Sequence, residues 1–542
     1  MNARADGLAK HLAGDPRFDS PVGISPVIAR SSLSAKQRAW IAFGAMLFGN
    51  FMAILDVQIV ASSVNEIRAG LSASADEISW VQTAYLIAEV IAIPLSGFLS
   101  RGLSTRLYFA LSAFGFTCAS LACALSWNLP SLIAFRVVQG FFAGGLIPTT
   151  MSALFLMFSQ QQRTLPYVLC GMVSLLAPSI GAATGGTITH VLTWPWLFLI
   201  NLVPGLIVTA LALRFIDIDR PQTALLRRTD FAGLAGLAAF LGSLQYILEE
   251  GPRNAWFEDQ TIGFFSAVSI IGAAIFSWRV RAAAEPIVDL RALRNANFRI
   301  GCFASFVVGV MLYGIVYIIP TFLGLVRGYD SLQVGQVTML SGITMFLSAP
   351  LAGRLQEKID PRFLLAYGLG MIAFGDWLDA ALTSQSGWQS FLIPQLIRGH
   401  GFTFCLVPMT MLTLGTLPEA LVKSGSGLFN LMRNLGGAFG IAGIQTLLRD
   451  ANADHLQKLA SKLTLARLPV RDAYLQAQQF AGAFGDEAAA ISARVLEGIV
   501  RREALVLAYN QTFITLALLM LIPLLALPLA SKPTQNLLAQ GD

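Results

Sequence analysis

An all-α protein that crosses a lipid bilayer many times is the fold class this sequence predicts, and three observations predict it. Only 13% of the 542 residues are charged, where an ordinary soluble chain carries roughly 25%. Hydrophobic residues make up 55% of the chain and mean hydropathy is +0.64. The apolar residues come in runs of about 20, the length a helix needs to span the hydrocarbon. Most of the 48 Gly and 23 Pro lie inside those runs, as transmembrane helices tolerate, and not in a low-complexity tail. A soluble enzyme, a nucleic-acid binder and a disordered chain are excluded as the main reading. The net charge of +6 is spread through short loops and does not form a nucleic-acid-binding patch.

Fourteen apolar runs, each bounded by charges or turn residues, are expected to be the spans. The first is 39–63, after Lys36 and Arg38; 78–99 ends before Arg101, and 107–127 begins after Arg106. Then come 131–157, 165–189 and 196–215, the last two parted only by His190 and the Trp194-Pro195-Trp196 turn. The next pair is 230–248 and 261–279. The chain continues with 299–323, 333–353, 363–383, 389–415, 425–448 and 504–530. Residues 1–38 are polar, contain Pro16, Pro21 and Pro26 and lack the apolar centre of a signal peptide, so the first span is expected to direct insertion. All five cysteines (Cys118, Cys123, Cys170, Cys302 and Cys405) fall within apolar runs and read as small core residues.

The basic residues orient these spans. Arg101, Arg106, Arg163, Arg220, Arg227, Arg281, Arg291, Arg294 and Lys358 fall in loops on the same side as Arg30, Lys36 and Arg38. The opposite short loops hold Arg68, Arg253 and Arg327. Both termini are therefore expected in the cytoplasm. Pro94-Leu95-Ser96-Gly97-Phe98-Leu99 at the end of the second span recurs as Pro350-Leu351-Ala352-Gly353-Arg354-Leu355 at the end of the tenth. Such a repeat divides the chain into two halves. The expected organisation is a tail (1–38), a six-helix half (39–215), two inserted helices with their linkers (216–298), a second six-helix half (299–530) with an outer loop near 449–503, and a tail (531–542).

Several segments, taken in order, resemble one family. Leu55-Asp56-Val57-Gln58-Ile59-Val60 is similar to an L-D-x-x-I-V motif, and Arg136-Val137-Val138-Gln139-Gly140 to R-x-x-Q-G, with Gly144 following. Gly181-Ala182-Ala183-Thr184-Gly185-Gly186 resembles G-P-x-x-G-G, and Trp194 to Asn201 matches W-x-W-x-F-x-x-N. Pro286-Ile287-Val288-Asp289-Leu290-Arg291 and Arg433-Asn434-Leu435-Gly436-Gly437 resemble later segments. These are marks of the major facilitator superfamily, in its fourteen-helix drug:proton antiporter family of the EmrB/QacA type. The resemblance runs from about residue 40 to 530. It implies a major facilitator fold and proton-driven export of small amphiphilic compounds across a bacterial inner membrane. It also implies a periplasmic adaptor and an outer-membrane channel as candidate partners. Two departures stand out: Ala182 replaces the usual Pro, and the turn after the second span has Arg101 where the family carries an acidic gating residue.

Ionisable residues inside the spans are the candidate working parts, because each costs at least about 2.5–3.5 kcal/mol at mid-membrane. Asp56 and Arg136 both lie about 8–11 Å below the outer surface by helix rise, and the family's fold makes their helices neighbours. They form a candidate proton-coupling pair, with Glu89 as a third member. Glu89, Gln58 and Gln139 are candidate cavity residues, and Glu89 with Arg433 is a candidate bridge between halves. Asp376 and Arg398 form a candidate structural ion pair, with Asp379 on the same helical face. Gly140, Gly144, Gly181, Gly185 and Gly186 are read as helix-packing residues. His400 is expected to bond backbone. Leu475 and Leu496, among polar and charged neighbours, allow amphipathic helices in the outer loop. No G-x-x-x-x-G-K-[ST] motif is present, so ATP drive is not expected. The scattered His11, His190, His400 and His455 offer no metal site or enzyme centre, and no cofactor is expected. A dedicated exporter of one metabolite, such as a siderophore or fatty acid, and a non-transporting receptor or scaffold are the competing functions.

Overall fold

The computed structural model describes residues 34–531 apart from 75–76, 160–161, 228, 284–285, 357, 465–466 and 482–487. Nearly all of both expected tails lies outside these residues. Among the described residues every regular element is helical. The long segments are α1 (Ala35–Ser62), α2 (Trp80–Leu103), α3 (Thr105–Ala124), α4 (Leu129–Met157), α5 (Thr164–Val191), α6 (Trp196–Phe215) and α7 (Phe231–Glu250). They continue as α8 (Gln260–Ala282), α9 (Ala296–Arg327), α10 (Ser331–Gln356), α11 (Pro361–Asp379), α12 (Trp388–Thr413), α13 (Glu419–Ala460) and α14 (Ala488–Leu519). Each coincides with one predicted run. By length and composition 10 are able to cross a membrane: all but α5, α11, α12 and α13. Of those four, α11 to α13 carry the charges Asp376, Asp379, Arg398 and Arg433, which lower their hydropathy.

Helix starts follow local chemistry. Asn128 and Ser131 form a reciprocal capping box at α4, with Pro130 in its first turn. Asp230, Asp259, Asn295 and Asp360 accept backbone N–H bonds at the starts of α7, α8, α9 and α11. α4 is interrupted between Ala143 and Leu146, at Gly144-Gly145, and α6 at Ile200-Asn201.

The outer segment 449–503 is largely helical among its described residues: α13 runs on to Ala460, a helix covers Leu468–Ala481, and α14 starts at Ala488. No Gly or Pro lies between Arg449 and Ala460, so nothing stops the helix where its apolar run ends.

In the first half, α2 packs on α4, and α3 on α4 and α6. In the second, α9 packs on α13, and α12 on both α10 and α11. The halves meet where α2 lies against α13 and α5 against α10. The inserted helices pack on each other, and α7 leans on both α2 and α13, straddling that seam. α8 leaves Phe264, Ile270, Ile271 and Trp278 exposed, a surface suited to lipid.

The repeat extends to single contacts. A Cβ on Gly140 would lie 2.2 Å from the Tyr85 carbonyl oxygen, and one on Gly399 would lie 2.1 Å from that of Ser341. Counting from these contacts, Tyr85 matches Ser341 and Pro94 matches Pro350, the register read from the sequence repeat. Arg136 then matches Gln395, and Gln139 matches Arg398. The bonds follow: Arg136 Nε donates to the Val81 carbonyl at 3.1 Å, and Gln395 Nε2 to the equivalent Val337 carbonyl at 3.4 Å.

Candidate functional site

Among the described residues, two buried polar clusters and a small cavity between the halves hold the sequence-predicted site residues. In the first half, Arg136 Nη1 donates to Asp56 Oδ2 at 2.6 Å, and both side chains are fully buried. The Asp56 Oδ1 atom accepts from Gln139 Nε2 at 3.0 Å and from Asn201 Nδ2 at 2.7 Å. Arg136 also donates to Gln139 Oε1 at 2.8 Å, and its guanidinium lies 4.1 Å from the Tyr85 ring centroid. A carboxylate accepting three donors, one of them charged, is held firmly in place. The close approach of α2 to α4 makes this possible, because at Gly140 and Gly144 any side chain would strike the Tyr85 and Glu89 carbonyls. Gly181 and Gly185 play the same part between α5 and α1, against Leu55, Gln58 and Ile59, while Gly186 is half-buried.

The sequence reading differs from this geometry in two respects. Gln139, expected on the cavity wall, is fully buried as a partner of Asp56. Three residues after Arg136, it shares a helix face with it and is drawn into the ion pair. Asn201 was quoted as part of a motif but given no role; its position at the break in α6 brings it to Asp56 and Ser120. Gln58 is half-buried and packs near Gly181.

A cavity lies between the halves, lined by Ile54, Glu89, Ile93, Gly144, Ile147, Pro148, Ser174, Leu312, Tyr313, Asn430, Arg433 and Asn434. Its volume of about 20 Å³ admits about one water. A drug-sized molecule needs a pocket of roughly 300–1,000 Å³, so the centre is closed in this conformation. Glu89 and Arg433 both reach this cavity, from opposite halves, yet the expected bridge is not made. Arg433 instead donates to Asn430, one helical turn away on its own helix, and its guanidinium sits 5.7 Å from the Phe429 ring centroid. On the second-half wall of the cavity the Tyr313 hydroxyl donates to Asn434 Oδ1 at 3.0 Å.

The second cluster lies in the second half. Arg398 Nε donates to Asp376 Oδ1 at 3.0 Å, its Nη2 to Asp379 Oδ2, and its Nη1 to Gln395 Oε1 at 2.7 Å. All three charged side chains are fully buried. The expected pair is thus a triad. His400 bonds the side chains of Ser348 (2.7 Å) and Tyr367 (3.1 Å) in place of backbone.

One end of the bundle is closed by contacts between halves. A Cβ on Gly97 would lie 2.8 Å from Ser424 Cα, and Ser426 donates to the Pro148 carbonyl at 2.8 Å. Lys423 at the start of α13 donates to Asp219 at 2.5 Å and to the Ser100 carbonyl at 3.2 Å. Asp219, in the linker after α6, also accepts from Thr105 N at 3.0 Å. The turn it supports is tight: Ser104 has φ +78°, a region that costs a non-glycine residue energy. Position 101 is an Arg, and the carboxylate at this turn comes from Asp219 in the linker. Nothing in the linker sequence Asp217-Ile218-Asp219-Arg220 singles that residue out.

Two pseudo-equivalent helical halves, a buried ion pair in one and a closed cavity between them define a multi-pass membrane transporter. The Major Facilitator Superfamily family model matches residues 46–441. The chain belongs to that superfamily, and within it to the EmrB-type drug:proton antiporters. It is 43% identical over 484 residues to the "Colistin resistance protein EmrB" of Acinetobacter baumannii, covering 89% of this chain and 94% of the relative. To the "Multidrug export protein EmrB" of Escherichia coli K12 it is 31% identical over 422 residues, covering 77% and 82%. Among solved structures it resembles the human organic anion transporter MFSD10 (TM-score 0.56, 13% identity, 90% and 99% coverage) in fold alone.

Proposed function

We propose that this protein exports amphiphilic compounds, cationic or neutral, in exchange for protons, by alternating access of the cavity between its halves. The observation that carries this reading is the fully buried Asp56–Arg136 pair beside a cavity holding the unbridged carboxyl of Glu89. An apolar cavity wall with a few polar groups suits bulky amphiphiles. A proton moving down a membrane potential of about 150 mV releases about 3.5 kcal/mol, enough to sustain a gradient of a few hundredfold. Likeness to proteins named for multidrug export and colistin resistance supports the same reading.

The membrane is the bacterial inner membrane, with both termini cytoplasmic by the distribution of Arg and Lys. The end closed by Lys423 and Asp219 then faces the cytoplasm. The helical extension formed by the ends of α13 and α14 faces the periplasm. Twelve residues of α13 beyond 448 reach about 18 Å, and exposed Leu468, Leu475, Val495 and Ile499 suit contact with a periplasmic adaptor leading to an outer-membrane channel.

The test uses purified protein in liposomes with an internal pH dye, to which a panel of lipophilic cations is added. Wild type is expected to move protons when a cation is supplied, and Asp56→Asn is expected not to. Because removing one partner of a buried pair costs about 3–5 kcal/mol, thermal unfolding of the variant is checked first. Proton movement that persists in a folded Asp56→Asn protein refutes the role given to Asp56. Response to a single compound alone marks a dedicated exporter.

A further inference from the structure

The two buried clusters differ in their charge balance. In the first half one carboxylate, Asp56, faces one guanidinium, Arg136. In the second half two carboxylates, Asp376 and Asp379, share the single guanidinium of Arg398, and all three are fully buried. Arg398 spends three of its five N–H groups on Asp376, Asp379 and Gln395, and its remaining two reach neither of the other carboxylate oxygens. Asp376 Oδ2 and Asp379 Oδ1 are buried with no hydrogen-bond partner.

No neighbouring element corrects the imbalance. α11 supplies the two aspartates, and α12 supplies Arg398 and the neutral Gln395. Of the groups on α14, Tyr509 packs against Phe322, and Asn510 bonds the backbone of Leu382. On α10 the charged Arg354 lies near the far end of its helix, and Arg327, ending α9, donates to Ser384 and Gln385. Among the described residues no charge from outside the triad acts on any of its members: Arg398 acts on both aspartates, and Asp379 also on Asp376. The cluster is therefore one negative charge in excess, out of reach of water. An isolated buried charge of that kind takes up a counter-charge in preference to staying ionised.

The repeat makes this a departure and not a worn copy of the first site. Gln395 stands where the first half has Arg136, and Arg398 where it has Gln139. The glycine contacts of α5 on α1 and of α13 on α9 (Gly181 on Leu55 and Gly436 on Phe306) put Val307 in the place of Asp56. The second half has kept an arginine and a glutamine one turn apart, and draws its carboxylates from α11 instead of α9. Close approach permits it: a Cβ on Gly375 would lie 3.2 Å from the Pro394 carbonyl, and Gly401 lies against Gly368 and Ile372.

We propose that Asp376 and Asp379 hold one exchangeable proton between them, making the second half a proton-binding site separate from the Asp56 network. The proton comes from water and sits on one of the two unpartnered oxygens, leaving one ionised carboxylate opposite Arg398. Nothing is oxidised or reduced. Its use in transport rests on the proton-coupled reading above; its presence does not.

The experiment is infrared difference spectroscopy of the purified, substrate-free, full-length protein as pH is stepped, in H₂O and D₂O. A protonated carboxyl has a carbonyl stretch that a carboxylate lacks. Wild type is expected to show such a band, shifting in D₂O, that is retained in Asp56→Asn and Glu89→Gln and lost in both Asp376→Asn and Asp379→Asn. Each of the last two variants leaves one carboxylate facing one guanidinium. Both are therefore expected to fold, with a thermal midpoint less dependent on pH than wild type. A purely structural triad would instead show no such band at any pH at which the protein stays folded, and that result overturns the proposal. A band that survives in both variants, or fails to shift in D₂O, overturns it too. Because no substrate is present, a failure here is distinct from a failure of the export reading.

Discussion

Lys423→Met tests whether the bond to the Asp219 carboxylate holds one end of the transporter shut. The pair spans the two halves at 2.5 Å with side chains 11% and 21% exposed, so it is neither fully screened nor fully buried. A hydrogen bond to a charged group contributes about 1.5–3 kcal/mol, and exposed pairs contribute about 0–1 kcal/mol. A value of about 1–2 kcal/mol fits this partial exposure. Asp219 keeps its bond from Thr105 N in the variant, so the loss falls on the contact between halves and not on the start of α3. At about 1.4 kcal/mol per factor of ten, the ratio of closed to open at this end should fall about 5–30-fold. The assay is distance measurement between spin labels at Arg106 and Glu419, which are exposed on opposite halves. Cys118, the exposed cysteine of the five, is replaced first. Lys423→Arg should keep the closed distance. Asp219→Asn/Lys423→Met should open this end no further than Lys423→Met alone, because the two act through one bond. An unchanged distance distribution in Lys423→Met, or additive opening in the double variant, refutes the latch.

Gly97→Ala and Gly140→Ala should separate closure from stability. At Gly97 the new methyl meets the Ser424 backbone across the seam, so the same labels should report opening while the thermal midpoint holds. At Gly140 it meets the Tyr85 carbonyl inside one half, and overpacking should cost about 1–3 kcal/mol in thermal unfolding; Gly370→Ala, which meets nothing within 4 Å, is the control. Asp230→Asn keeps a capping side chain at α7 but loses the ion pair to Arg279 at 2.9 Å. Burial alone would raise the Asp230 carboxyl, but bonds from Arg279 and Gly233 N outweigh it and hold it below the ordinary carboxylate range. A depressed carboxylate contributes stability above its unfolded value of about 3.9 that is lost as pH falls through the lower folded value. The variant should therefore be less stable by about 0.5–1 kcal/mol near neutral pH, and equal to wild type in strong acid. A constant difference at all pH values would refute the ion-pair account.

Helix order and approximate ends were legible because hydrocarbon imposes one length and one period on every span. Ends that leave the membrane were not: α13 passes Arg449 and continues to Ala460, since a charge ends an apolar run without ending a helix. Asp56 with Arg136 could be paired from depth and a family resemblance. Asn201 could not, because its side chain is aimed by a helix break whose geometry no spacing reveals. Glu89 and Arg433 matched in depth as well as any pair, yet Arg433 turns to Asn430. Depth constrains one coordinate, and a partner one turn away on the same helix wins over one across a cavity. Asp219 was invisible for the opposite reason, as one more charge in a charged linker.

The contacts also divide by kind, and that division indicates what moves. Within the halves, five glycines bring backbone against backbone (Gly140 on Tyr85, Gly144 on Glu89, Gly309 on Arg433, Gly399 on Ser341 and Gly436 on Phe306), while others such as Gly115 and Gly437 meet aromatic rings. The backbone contacts have no rotamer to yield, so each half should move as a rigid body. Between α5 and α10 the neighbours are the ends of flexible side chains, Met345 Cε at Gly171 and Leu176 Cδ2 at Gly342, which can slide without unpacking a helix. Between α2 and α13 backbone meets backbone across the seam, at Gly97 against Ser424 and at Gly427 against Ile93, and Gly97 lies at the end that Lys423 and Asp219 close. A cavity of about 20 Å³ cannot receive a bulky compound by local breathing inside rigid halves. Admission therefore requires the halves to part, and the contacts that must break first are those around Gly97, Lys423 and Ser426 if the closed end is to open.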